Sequence, residues 1–567
     1  MCVYLKRYCV RFSLRGHFVC LLVLFTFSLM AQRGKYRSPV NHGITLAGSF
    51  GELRSSHFHA GIDIRPSGKK TADTIYAVAD GFLSRVKTQR GGFGRAIYID
   101  HADGNTSVYA HLSYLFDPIF SLVYKEQMKL ESYEVDIYPE KSSVKIKKGQ
   151  AIGLMGNAGN SYGAHLHFEI RETVSEVPIN PFLYGIKPVD KIKPTISSIG
   201  VHGLHTSWSD SYYTNIGNGF KKDGTISPQY AVPAWRVGLS VQGFDQMNGA
   251  PNKNGYYAIK LFVDDTLYFH STMDSVSYEE GDLIDCYIDY PLQERVNRKE
   301  ALLYKLPANT VRTIKYAKNE GAFQIFASKP RNICIKLEDF EGNVSSAYFS
   351  IIRDTLMVGN RQTPTYEKAL RQNIDESFAL GDFQFKMLAG TLARDGGINV
   401  SGYGKSYKVG DDEQAILKDF EYCVLIPQEF IQDKDLFFAN VSSSKPAVKG
   451  GVIKDGKYCG TMSAFGNYRF IKDKEAPVIL PVNFSANATS KTNFSFKLSD
   501  NVSYRAPART FEYKVFIDGE FIPSEMKELT GVLTVPLGQL SKGNHQLVIK
   551  VRDFAQNEAE FSKLFNK

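Results

Sequence analysis

His59 and Asp63 stand four residues apart in H-A-G-I-D, and His165 and His167 stand two apart in H-L-H-F-E. Between the two motifs His111 sits in Y-A-H-L. A catalytic zinc ion takes three protein ligands and keeps one position open for water. Four imidazoles and one carboxylate exceed that need: a His, Asp, His set would hold the metal, and the surplus histidines would move protons beside it. Such a centre activates water and polarises a carbonyl. A lone strand histidine is usually structural, and H-x-H alone is a weak signal. The pairing with H-x-x-x-D is harder to dismiss, because six of the chain's 12 histidines fall between His57 and His167.

These residues need strands to position them. Side chains at i and i+2 of a strand share a face, so His165 and His167 emerge side by side. Leu166, Phe168 and Ile170 suit the buried opposite face. His59 and Asp63 share a face on a strand or a helix, and Gly61, Ile62 and Ile64 favour the extended form. Asp103-Gly104 is a hairpin signal, which makes His101 structural. His57 is read as a neighbour rather than a ligand. Arg54 is read as an exposed arginine, with carboxylate binding in a cleft as the alternative. Gly91-Gly92-Phe93-Gly94 lacks the G-K-[ST] of a phosphate loop and reads as a hairpin tip or cleft wall. No H-E-x-x-H occurs, so the helix-borne zinc protease plan is absent. Val144 to Gly156 has the glycine pattern of a biotin or lipoyl carrier, but no modifiable lysine sits at a matching hairpin tip.

The segment from about Gly51 to Pro181 resembles the lysostaphin-type, LytM-like zinc endopeptidases of peptidase family M23. The resemblance rests on R-S-S-H-F-H-A-G-I-D-I, A-V-A-D-G-F-L, G-G-F-G-R-A-I-Y-I-D-H-A-D-G, Y-A-H-L and K-K-G-Q-A-I-G-L-M-G-N-A-G-N-S-Y-G-A-H-L-H-F-E-I, in that order. It covers about a quarter of the chain. It implies an antiparallel, duplicated-hybrid-motif-like β domain that cuts the peptide cross-bridges of bacterial cell walls. By position it implies one Zn²⁺ held by His59, Asp63 and His167, with His165 as general base. His111 becomes the second catalytic histidine, for the oxyanion or shared proton work. One departure stands out: where simpler relatives have a short connection, about thirty residues run from Leu115 to Lys145. Loops of that length are usually functional or disordered. This one is rich in aromatics and is expected to wall, select at or cover the site.

At 567 residues the chain suggests three to five domains. The 32 tyrosines and 38 phenylalanines lean toward β-structure. The formal charge is +9, and Lys6, Arg7, Arg11 and Arg15 supply four of those positives, leaving about +5 once they are set aside. No basic-aromatic cluster points to nucleic acid. Basic residues up to Arg15 followed by the 14-residue, largely apolar run from Phe18 to Ala31 read as a secretory signal rather than a membrane span. Cleavage after Ala31 is expected, with no transmembrane helix afterwards. The location is then periplasm, cell envelope or outside the cell. Of the cysteines beyond the leader, Cys286 is expected to pair with Cys334 and Cys423 with Cys459, with four free thiols as the alternative.

The expected organisation is a signal at 1–31, a linker at 32–50 and a peptidase-like domain at 51–188. Immunoglobulin-like sandwiches follow at 191–355 and 475–567, with a β-rich unit at 356–474 between them. Thr365 to Asp375 is read as a short helix or linker. The two sandwiches echo each other: K-P-T-I and A-P-V-I open them, K-L-F-V-D-D parallels K-V-F-I-D-G, and K-L-E-D-F-E-G-N parallels K-V-R-D-F-A-Q-N. The D-x-x-x-N turns could bind calcium, although turn stabilisation accounts for them. The leading expectation is a wall endopeptidase with a peptidoglycan peptide as partner and an envelope protein as a possible further one. The alternatives are a silent or self-inhibited envelope adaptor and a secreted peptidase for other peptides.

Overall fold

The computed structural model describes residues 36–567, apart from 70–71, 207, 224–227, 363, 434, 505–509 and 539. The leader and its cleavage site lie outside the described residues. The chain is mainly β, as expected, and built largely of antiparallel sheets. Among the described residues no helix is long and apolar enough to cross a membrane.

The site rests on one nine-stranded sheet. Its strands are β1 (Leu46–Gly48), β2 (Ile62–Ile64), β4 (Gly81–Thr88), β5 (Arg95–His101), β6 (Asn105–Ala110), β8 (Val135–Ile137), β9 (Lys145–Ile146), β11 (Leu166–Glu172) and β12 (Pro178–Ile179). The order is β1-β2-β11-β6-β5-β4-β8, with β12 on β11 and β9 on β4. A smaller sheet joins β3 (Thr74–Tyr76), β10 (Ala151–Leu154) and β7 (Tyr114–Leu115). Alternation sorts β11 cleanly: Leu166, Phe168 and Ile170 enter the core at 0% exposure, and the residues between them form the other face.

The long connection after His111 is ordered. It carries α1 (Ile119–Leu130) and then β8, which pairs with β4. Tyr114, Phe120 and Tyr124 stack in sequence along it. Its far end meets the last β unit, where Lys514 pairs with Glu131 at 2.6 Å.

Three further β units follow. In the first, a five-stranded sheet containing 195–204 and 236–244 accompanies a six-stranded sheet containing 258–263, 331–338 and 344–353. Their core is continuous with that of the preceding domain: one buried cluster runs from Val40 to Ile351. The middle unit pairs a five-stranded with a six-stranded sheet, and the last pairs two four-stranded sheets over a core that includes Phe494, Phe496, Val515 and Ile549. The stretch read as a helix or linker contains a strand instead: 368–370 pairs with 396–398.

Cys423 and Cys459 face each other in register across neighbouring strands and form a disulfide. The other expected pairing is wrong, and Cys286 and Cys334 are free. Cys334 alternates with the core residues Ile333 and Ile335 and so leaves the core face of its strand. Cys286 sits in a separate buried cluster with Leu302 and Tyr304.

Candidate metal centre

Strand register assembles the site. On β11 His167 lies opposite Asp63 of β2 on one side and Ala110 of β6 on the other. One row of the sheet thus collects three distant motifs. His111 follows Ala110 directly and turns out of the strand with φ 62°, an uncommon conformation for a residue with a Cβ. His59 precedes β2 and is pinned by two backbone bonds, Gly51 N–H to its carbonyl and its own N–H to Glu52. Gly61 permits this close packing, since a Cβ there would lie 2.5 Å from the Phe168 carbonyl oxygen.

Three donor atoms converge. His59 Nε2 lies 3.1 Å from Asp63 Oδ1, His167 Nδ1 lies 3.0 Å from the same oxygen, and the two nitrogens are 3.1 Å apart. A tetrahedral ion with bonds of about 2.0–2.1 Å needs ligand separations of roughly 3.3 Å. The triangle therefore has the right size for a first-row metal, and all three residues are buried.

Every other polar atom of the triad is already committed. His59 Nδ1 donates to the Ser49 carbonyl at 2.7 Å, which leaves Nε2 as a lone pair. His167 Nε2 donates to Glu169 Oε1 at 2.8 Å, which leaves Nδ1 as a lone pair. Asp63 Oδ2 accepts from the Arg54 guanidinium at 2.9 Å, so Arg54 meets a carboxylate of the protein itself. Two lone pairs and a carboxylate oxygen face one another, an arrangement that a proton or a cation must neutralise. Burial lowers His167, but its bonds to Asp63 and Glu169 outweigh that and raise it to about 9. Burial raises Asp63, yet His59 and His167 hold it well below the usual carboxylate range.

The other two histidines lie alongside. His165 Nδ1 bonds the Gly163 carbonyl at 2.8 Å, and its Nε2 lies 3.5 Å from Asp63 Oδ1. His111 Nδ1 bonds the Ala158 carbonyl at 2.7 Å, and its ring centroid is 4.8 Å from that of His165. Burial lowers His165, and it lowers His111 to about 3 with help from His167 and His165. Both rings are neutral at pH 7, each with Nε2 as its lone pair. The Gly91–Gly94 turn forms a wall of this cleft: Phe93 stacks on His167 at 5.1 Å. All five residues expected from the sequence meet here. His57 is exposed and not among the converging donors, and His101 is structural, bonded to the Asp80 carbonyl and Ser107.

Further members of the site were not anticipated. Glu169 Oε2 accepts from Arg171 at 2.6 Å, and Glu169 Oε1 accepts from the Tyr278 hydroxyl at 2.6 Å. Glu169 is 0% exposed, and although burial raises it, Arg171 and His167 hold it down at about 2. Glu169 and Arg171 continue the His165–His167 face of β11, a run of four polar residues on one strand face that is visible in the sequence. Tyr278 comes from the next β unit, and no local signal points to it. The same neighbourhood also brings Tyr287 edge-on to Phe58 at 5.3 Å and Lys299 to the Leu53 carbonyl at 3.0 Å.

Residues 57–119 and 129–181 match the model of peptidase family M23. This part of the chain is similar to peptidase family M23. The break in the match falls within α1, at the long connection. DD-carboxypeptidase/endopeptidase Mpg of Neisseria meningitidis is 32% identical over 130 residues, 23% of this chain and 23% of that protein. Cell division protein DipM of Caulobacter vibrioides is 28% identical over 156 residues, 27% of this chain and 21% of that protein. The chain thus spans about a quarter of the length of the curated relatives it matches. The catalytic domain of lysostaphin from Staphylococcus simulans aligns with a TM-score of 0.17 at 22% identity, covering 27% of this chain and 96% of that one.

Proposed function

We propose that this M23 chain is an exported zinc endopeptidase that hydrolyses peptide cross-links of peptidoglycan. The observation that carries the reading is the triangle of His59 Nε2, Asp63 Oδ1 and His167 Nδ1, each donor fixed by an outer partner and all three facing the same point. Two lone-pair nitrogens and one carboxylate oxygen suit zinc, and the separations match its size. An intact ligand set favours an enzyme over a silent adaptor. The wall substrate is supported by relatives named as a DD-carboxypeptidase/endopeptidase and a cell division protein. The leader at 1–31 supports export.

His59, Asp63 and His167 would hold a zinc ion, which would supply a water of pKa about 7 and polarisation of the scissile carbonyl. The protein's own groups do the rest. His165, neutral and held by Gly163, takes the proton of the attacking water at Nε2 and later gives it to the departing amine. His111, held by Ala158, offers a second Nε2 in the same cleft. That lone pair is placed to share the proton work with His165. Glu169 keeps His167 in the tautomer that leaves Nδ1 free. Phe93 and the segment around Tyr278 form apolar and polar walls, and the β units downstream hold the enzyme at wall polymer or an envelope partner.

The test is digestion of purified sacculi with product identification by mass spectrometry. Wild type should convert cross-linked dimers into monomers, and His165→Ala should lose about 10²–10⁴-fold of that rate with zinc retained. Intact dimers after prolonged digestion by zinc-loaded wild type would refute the wall substrate.

A further inference from the structure

Two groups of three aspartates occupy matching places in the first and last β units. Asp190 opens D-K-I-K-P-T-I and Asp473 opens D-K-E-A-P-V-I, each four residues before the proline that leads into its unit. Asp245 follows Phe244, which pairs with Thr195, the residue after Pro194. Asp500 follows Ser499, which pairs with Val478, the residue after Pro477. Asp339 and Asp553 stand in K-L-E-D-F-E-G-N and K-V-R-D-F-A-Q-N. The agreement extends to hydrogen bonds. Asn343 donates its backbone N–H and side-chain amide to Asp339 at 2.8 and 2.6 Å, and Asn557 makes the same two bonds to Asp553 at 2.8 and 2.8 Å.

Within each group one oxygen from every aspartate lies within 4.8 Å of the others. Asp245, Asp339, Asp473 and Asp553 are 1–3% exposed. Among the described residues, none of the six makes an ion pair with lysine, arginine or histidine at bonding distance. A turn-stabilising role explains Asp339 and Asp553, whose oxygens are bonded, but it does not explain Asp245. That side chain is 2% exposed, its Oδ1 has no hydrogen-bond partner, and it points into the group. Both oxygens of Asp500 are likewise without partners. Burial together with Asp190 and Asp339 pushes Asp245 up to about 8, so the group does not carry its full charge comfortably alone. Asp500 is pushed to about 6 by burial with Asp473 and Asp553. Three converging carboxyl groups, two of them buried in each group, repeated at one place in two units whose sequences have otherwise diverged, call for a cation.

We propose that each triad binds one calcium ion. The donors are oxygens only, which suits a hard cation, and backbone carbonyls and water complete a shell of 6–8 ligands with little geometric demand. Zinc, which prefers nitrogen and sulfur, is served by the histidine site instead. The location gives the ions a purpose. Asp190 and Asp473 belong to the segments that enter the two units, and the other four aspartates sit at strand ends. Each ion therefore ties an entering segment to its sandwich. The first fixes the unit that supplies Tyr278 to the zinc site. The second fixes the last unit relative to the middle one, where the Asp473 partner Tyr504 packs edge-on against Phe437.

The experiment is calorimetric titration of CaCl₂ into the zinc-loaded full chain freed of calcium. Two calcium ions should bind, with dissociation constants at or below about 10⁻³ M, the range of extracellular modules. Asp190→Asn and Asp500→Asn, both at partly exposed positions, should each remove one ion, and the double variant should remove both while zinc content and circular dichroism stay unchanged. Absence of calcium binding by the folded wild type overturns the proposal without reference to any variant. Undiminished binding by the double variant overturns the placement. Terbium emission excited through tyrosine gives a second readout, since Tyr504 adjoins one triad and Tyr256 and Tyr257 the other, and its persistence in the double variant would contradict both sites.

Discussion

Each proposed ligand atom is defined by the bond its residue makes on the far side. Ser49 O, Arg54 and Glu169 fix His59, Asp63 and His167 respectively. Glu169 is the most consequential, because it is fully buried and receives three donors: His167, Arg171 and Tyr278. Replacing Glu169 with Gln should weaken zinc binding by about 10–100-fold, the usual cost of losing such an outer partner. Tyr278→Phe should have a smaller effect in the same direction. Competition with a chromogenic chelator measures both, and unchanged affinity in Glu169→Gln would remove Glu169 from the centre. His59, Asp63, His165 and His167 were legible as residue types at fixed spacing, since H-x-H and H-x-x-x-D depend only on local geometry, whereas the role of His111 came from the family resemblance. Glu169 and Arg171 were legible in principle, as charged residues on the ligand face of a strand whose other face carries Leu166, Phe168 and Ile170. Tyr278 was not, because its approach depends on how a second unit packs.

At the scale of elements, the proposed catalytic histidines hang from loops whose backbones touch. The Ala158 carbonyl that holds His111 lies beside Gly159, and a Cβ on Gly159 would sit 2.5 Å from the Gly92 carbonyl oxygen. Gly159 also has φ +71°, so alanine is strained there regardless of space. Gly159→Ala should push the Gly91–Gly94 turn and His111 apart. A displacement near 1 Å costs on the order of 10²-fold in turnover, with zinc content unaffected. Wild-type turnover in this variant would show that His111 does not need its anchor. Strands were legible from alternation and β-rich composition. The ladder register was not, since it joins residues about a hundred positions apart. The Cys286–Cys334 expectation failed for the same reason: closeness in sequence says nothing about which face of a sheet a side chain leaves.

Across the whole molecule, the last β unit returns to the first domain. Arg90 reaches the Phe511 carbonyl at 2.5 Å, Arg95 pairs with Glu525 at 2.8 Å, and Tyr133 of the long connection is buried beneath Arg95. These contacts grip the arms of the turn that carries Phe93, so the chain's end supports a wall of its proposed active site. Arg90→Ala combined with Glu525→Ala should free the last unit and enlarge the radius of gyration in small-angle scattering. Turnover should fall while zinc stays bound. An unchanged scattering profile would mean that other contacts hold the unit. The sequence led to the expectation of a last unit related to the first, but not of where it docks. The long connection packs its helix and strand on β4 of its own domain, and its far end meets the docked unit.

The most direct test of the zinc account is a titration of metal-stripped protein with Zn²⁺, following cross-link cleavage in sacculi. Cleavage should rise in proportion to added zinc and level off at one ion per chain. His59→Ala and Asp63→Ala should neither retain the ion nor cleave at the same zinc level. Cleavage that proceeds at full rate in stripped wild type, or equally in both ligand variants, would contradict the assignment of His59, Asp63 and His167 as the metal centre.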